Sequence, residues 1–79
     1  MDSYIRKLFE GEGTSFSEFV LGLRLMRAHR MLTDARWRDR SIAAIAFEAG
    51  FGDLSYFNRV FKRVYGLRPS ELRDASRRN

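Results

Sequence analysis

At 79 residues, 44% of them hydrophobic, the chain can form one small domain or part of one, with a modest core and little stability to spare. It holds no cysteine, which excludes disulfides and thiolate metal sites, and neither a membrane-spanning apolar run nor a signal-peptide pattern occurs, so a cytoplasmic setting is expected. The net charge of +5 is unevenly placed: residues 1–53 carry 8 basic and 8 acidic side chains and residues 54–79 carry 7 basic and 2 acidic, mostly arginine, the cation best suited to phosphate and guanine.

In chain order, the first segment sets Ile5, Leu8 and Phe9 at helical spacing, and Gly11 and Gly13 stop the run. Ser15 with Glu18 three residues later has the pattern of a capping box, and a helix is predicted from about Ser15 to about Ala35. Phe16, Phe19, Val20, Leu23, Met26, Ala28, Met31 and Leu32 fall in helical register along it. About 20 residues at a rise of 1.5 Å would span roughly 30 Å, enough to join two globular ends. Arg24, Arg27 and Arg30 recur three apart on this helix and read as a solvated stripe at the edge of phosphate reach. A polar break, Arg36-Trp37-Arg38-Asp39-Arg40, follows.

From Ser41 to Arg73 the pattern is that of a complete helix-turn-helix. Ser41 can cap a short helix whose apolar positions Ile42, Ile45, Ala46 and Ala49 repeat at i, i+3, i+4 and i+7. Gly50 suits a left-handed stop, and Asp53 can cap a helix starting at Leu54. The small side chains of Ala46 and Ala49 permit a close crossing of the two helices. On the second helix Phe57, Val60, Phe61 and Val64 share one face, and Ser55, Asn58, Arg59 and Lys62 share the other.

The polar face has the chemistry of a base reader. A major groove about 12 Å wide admits an α-helix, and its base edges are read by short polar groups and by bidentate Arg or Asn side chains. Ser55, Asn58 and Arg59 lie in the N-terminal half, which docks against base edges in such motifs. The same helix occurs once before in cruder form. Ser3-Tyr4-Ile5-Arg6-Lys7-Leu8-Phe9 lines up with Ser55-Tyr56-Phe57-Asn58-Arg59-Val60-Phe61, and after one inserted residue Gly13 meets Gly66 and Ser17-Glu18-Phe19 meets Ser70-Glu71-Leu72. Two copies are too few for a solenoid and instead predict two similar surfaces facing a repetitive partner.

These residues carry a resemblance. Ile45-Ala46, Ala49-Gly50-Phe51, Ser55-Tyr56-Phe57, Arg59, Phe61-Lys62, Gly66, Pro69 and Arg73 resemble the C-terminal signature of the AraC/XylS family of bacterial transcription regulators, and Arg24-Leu25, Ala28 and Leu32 are similar to its linker-helix pattern. The resemblance implies an all-α fold with two helix-turn-helix units joined by a long helix, whose recognition helices enter successive major grooves on one side of double-stranded DNA. It implies base contacts from Leu54, Ser55, Asn58 and Arg59 in the second unit and from Ser3, Arg6 and Lys7 in the first. Phosphate contacts would fall on Arg40 or Ser41 at a helix N-terminus and on Lys62 or Arg63. RNA polymerase is a second implied partner.

The expected organisation is a recognition helix of an incomplete first unit over 1–14, a linker helix over 15–35, and a complete second unit with a C-terminal helix and basic tail over 36–79. Family domains carry about two helices ahead of the first recognition helix, whereas this chain starts at that helix, so it reads as a fragment. Ile5, Leu8 and Phe9 then lack the cover worth roughly 1.5 to 3 kcal/mol each, so the chain is expected either to fray before about Thr14 or to self-associate through that stripe.

Other residues have plainer readings. His29, the lone histidine, sits mid-helix among arginines and is a poor catalyst or ligand; Trp37 reads as a packing anchor and Phe51, Phe57 and Phe61 as core. Glu48 is placed to ion-pair with a nearby arginine, and Arg77 and Arg78 read as a solvated tail. No nucleophile-base pair, metal cluster, cofactor loop or phosphate-loop glycine spacing can be assembled, so no catalytic residue, metal or cofactor is assigned. A sequence-specific DNA-binding module is the leading function, and a protein-interaction module the alternative.

Overall fold

A computed structural model describes residues 15–78, and every regular element among them is helical. Helix α1 spans Phe16–Leu32, a short 3-10 turn spans Ala35–Trp37, and α2 (Ile42–Glu48), α3 (Leu54–Tyr65) and α4 (Pro69–Arg77) follow. The predicted first recognition helix, with Ser3, Arg6, Lys7, the apolar stripe Ile5, Leu8 and Phe9, and the stops Gly11 and Gly13, lies outside the described residues.

The helices start where local chemistry places them. The Ser15 hydroxyl accepts from the Glu18 N–H at 3.1 Å while the Glu18 carboxylate accepts from the Ser15 N–H at 3.0 Å, which completes the expected capping box. Ser41 accepts from the Ala44 N–H at 2.9 Å and Asp53 from the Tyr56 N–H at 2.9 Å. At α4 only half of a capping box forms: Glu71 accepts from the Arg68 N–H at 2.7 Å, but a guanidinium has no acceptor to return the bond. Pro69, at the first position of α4, loses no helical hydrogen bond by lacking an N–H.

Their ends are equally local. Gly50 (φ 109°) and Gly66 (φ 82°) take the left-handed conformation after α2 and α3. Helix α1 stops at Leu32, short of the expected Ala35, because the Thr33 N–H turns back to the Arg30 carbonyl, the Asp34 N–H turns back to the Met31 carbonyl, and Asp34 adopts an extended backbone. The Asp34 carboxylate then caps the 3-10 turn through the Arg36 N–H, giving structure to the front of the stretch read as a polar break.

The core is a single cluster. Leu25, Ala28, Met31 and Leu32 of α1 meet Ile45, Ala46 and Ala49 from α2 and its cap, and Phe51, Phe57, Val60 and Phe61 complete it. Rings of Phe51, Phe57, Phe61 and Tyr65 follow one another at centroid distances of 4.8, 5.5 and 4.7 Å, a column along the inner side of α3. His29, half-buried on α1, packs 4.7 Å from the Tyr65 ring and so belongs to this apolar seam. Helix α1 packs against both α2 and α4, so it acts as the spine on which the two-helix unit rests.

Several expected inner positions are turned outward. Leu23 and Met26 are 49% and 57% exposed, and Leu25 at 2% takes the core place between them, because the buried stripe of α1 runs through Leu25, Ala28 and Leu32. Val64 is 56% exposed, since the inner face of α3 continues from Phe61 to Tyr65 instead. Glu48 makes no ion pair; among the described residues the one ion pair is Arg36 with Asp34, at 2.8 Å.

Candidate nucleic-acid interface

Helix α3 divides its residues by chemistry. Phe57, Val60 and Phe61 are buried and fix its rotation, so Leu54, Ser55, Asn58, Arg59, Lys62 and Arg63 are all exposed. These six side chains line one open concavity of about 750 Å³, together with Ile42 at the start of α2 and Arg68 and Ser70 at the start of α4. The structure thus brings together every expected second-unit residue of α3.

Arg59 is partly pre-positioned. Its guanidinium lies 5.6 Å from the centre of the exposed Tyr56 ring, a cation-π contact that restricts a long side chain. None of Arg59, Lys62, Arg63 and Arg68 forms an ion pair with a described residue. Among the described residues the one paired carboxylate, Asp34, is held below the usual carboxylate range by its hydrogen bonds from Arg36, and the pair sits at the start of the 3-10 turn. The concavity therefore offers uncompensated positive charge to an anionic partner.

The other expected phosphate residues are placed differently. Ser41 spends its hydroxyl as the α2 cap, leaving the first backbone N–H groups of that helix as its donors. Arg40 lies 5.2 Å from the centre of the half-buried Trp37 ring, and neither Arg40 nor Ser41 lines the concavity. Arg68 and Ser70 were not singled out from the sequence, though Pro69 between them marks a helix start and so places both at its mouth.

The remaining arginines are less idle than a solvated reading supposes. Arg24 is exposed yet lies across the turn after α2, close enough that a Cβ on Gly50 would meet its Nε at 3.0 Å. Arg77 donates to the Arg38 carbonyl at 2.6 Å and Arg73 to the Arg40 carbonyl, so two α4 guanidiniums staple the segment leading into α2. The expected solvated tail is thus tied down at Arg77.

A family of helix-turn-helix domains matches residues 2–75. The chain is 52% identical over 69 residues to the transcriptional activator RhrA of Rhizobium meliloti, covering 87% of this chain and 22% of that protein. The chain belongs to the AraC/XylS family. Two other relatives are transcription regulators by name. The uncharacterized transcriptional regulatory protein YesN of Bacillus subtilis is 46% identical over 72 residues, covering 89% of this chain and 19% of that protein. The urease operon transcriptional activator of Escherichia coli is 36% identical over 77 residues, covering 98% of this chain and 25% of that protein. The chain spans about a fifth to a quarter of the length of these relatives. No solved structure matches it. As an AraC/XylS helix-turn-helix domain the chain is a DNA-binding module of a transcription regulator. Among the described residues no helix is long and apolar enough to cross a membrane, and no cluster of His, Asp or Glu is arranged to hold a metal ion.

Proposed function

We propose that the module recognises DNA sequence-specifically by laying α3 in the major groove. The observation that carries this reading is the single polar face of α3, where Ser55, Asn58 and Arg59 stand exposed in the N-terminal half while Phe57, Val60 and Phe61 anchor the opposite side. Asn58 and Arg59 carry the groups for bidentate contacts to adenine and guanine edges, Ser55 offers a short donor and acceptor, and Leu54 offers an apolar contact for a thymine methyl. Lys62, Arg63 and Arg68 would take phosphates at the groove wall, with Arg40 and the N–H groups behind Ser41 at the α2 N-terminus on the other side. Ser3, Arg6 and Lys7 would read a second groove through the first copy of the helix, so a two-part site with centres about 10 bp apart is expected.

Binding of a selected duplex and its scrambled counterpart tests the reading. Arg59→Ala should cost about 1 to 3 kcal/mol and relax preference at one base position. Equal weakening on every sequence would make Arg59 a phosphate clamp and remove it from the reading set.

One observation favours a second reading, a protein contact. Met26 and Val64, both exposed, line an apolar concavity of about 440 Å³ between α1 and α3. RNA polymerase or a second copy would be candidate partners. Raising salt separates the two readings, since DNA binding falls steeply as counterions are released and an apolar contact does not.

A further inference from the structure

A second concavity, of about 510 Å³, is walled by the end of α1, the 3-10 turn and α4 and lined by Arg38, Arg73 and Arg77. None of the three pairs with a described carboxylate, and the acid in the wall, Asp34, is already bonded to Arg36. Arg73 and Arg77 are held by the carbonyls of Arg40 and Arg38. A guanidinium carries five N–H donors, so these bonds fix the two side chains while leaving other donors and the whole charge available. The Ser76 hydroxyl adds a neutral donor to the same wall. Three like charges around one opening form a field that an anion would relieve.

The position of the opening identifies the anion. Ser70, Arg73 and Arg77 follow one another on α4 at i, i+3 and i+7 and so share one helix face. Ser70 lines the concavity of α3, whereas Arg73 and Arg77 line the arginine one. From Ser70 to Arg77 the helix rises about 10 Å, so a polyanion lying over the first concavity continues over the second. We infer that Arg38, Arg73 and Arg77 hold the phosphodiester backbone of the DNA that flanks the stretch read by α3, extending the footprint along α4. The inference rests on the reading of α3 as the base reader. Contacts of this kind add affinity and register but no sequence preference.

Two variants of the 79-residue chain test it without dismantling the staples. Arg38→Ala removes a side chain but keeps the carbonyl that Arg77 uses, and Arg77→Gln keeps an amide N–H to donate to that carbonyl while losing the charge. Each should lower the slope of log affinity against log salt by about 0.9, weaken selected and scrambled duplexes by the same factor, and leave the melting curve at the parent's position. Parent-like salt slopes for both variants would overturn the inference; the α3 reading would survive that result if Asn58→Ala still erased the preference between the two duplexes. A parent chain that binds neither duplex would overturn both readings together. Loss of preference in Arg38→Ala at an unchanged slope would overturn the inference alone, by making that side chain a base reader.

Discussion

Helices α1 and α3 are both rich in apolar residues, yet they distribute them in opposite ways. On α3 the core side chains Phe57, Val60 and Phe61 hold one face and the polar set Ser55, Asn58, Arg59 and Lys62 holds the other. On α1 apolar residues occur around much of the circumference, and two stripes with helical period coexist: one through Phe19, Leu23 and Met26, another through Leu21, Leu25, Ala28 and Leu32. A segregated helix carries its orientation in its own sequence, whereas a helix with two stripes takes its orientation from what packs on it. Here α2 and α4 occupy the second stripe and leave Leu23 and Met26 in solvent.

The largest expected effect breaks the segregation of α3. Phe61→Ala should destabilise the chain by about 3 to 5 kcal/mol, because it empties the centre of the aromatic column in a domain with little reserve. Asn58→Ala, three residues away on the exposed face, should leave thermal unfolding nearly unchanged. If the two variants melt alike, the division of α3 into inner and outer faces fails.

The same contrast can be drawn on α1, where it is less visible from sequence. Leu25→Ala should cost about 2 to 5 kcal/mol and Leu23→Ala under about 0.5 kcal/mol, as read by urea unfolding. Equal costs would show that Leu23 is as well covered as Leu25.

At the turn between α2 and α3 a smaller effect is expected. Gly50→Ala should cost about 1 to 2 kcal/mol, since an L side chain is strained at φ 109° and its Cβ also meets Arg24, a flexible neighbour able to move. Gly52→Ala, two residues on, meets nothing within 4 Å and should be close to neutral. Chemical denaturation of the pair separates backbone strain from a general intolerance of the turn.

The smallest effect is one of pH. Burial pushes the Tyr65 phenol up from its ordinary value, so folding favours the neutral form. The stability this contributes is fully present below the ordinary phenol range near pH 10 and is lost as pH rises through the higher folded value. Thermal midpoints should therefore fall at alkaline pH more in the parent than in Tyr65→Phe, and parallel curves would remove Tyr65 as the cause.

Most of the α2 to α3 unit was legible because each of its signals acts over a few residues. Ser41, Gly50 and Asp53 start or stop helices through their own backbone and side chains, and the structure uses all three as expected. The exposed polar residues of α3 were legible for the same reason. What the sequence hid depends on distant partners. The choice of Leu25 over Leu23, the path of Arg24 across the turn, and the bonds of Arg73 and Arg77 to backbone carbonyls all need a second element in place before they have meaning. Arg68 and Ser70 join the candidate interface only because α4 brings its start beside α3.

Those two carbonyl bonds also have a place in time. Every other side-chain hydrogen bond among the described residues spans at most four positions, so α1, α2 and α3 can each be capped as soon as their own segment exists. The bonds of Arg73 and Arg77 reach back 33 and 39 residues and require the earlier helices to be assembled first. Closure of α4 onto the segment ahead of α2 is then expected to come late, so that loosening it should speed unfolding more than it slows folding.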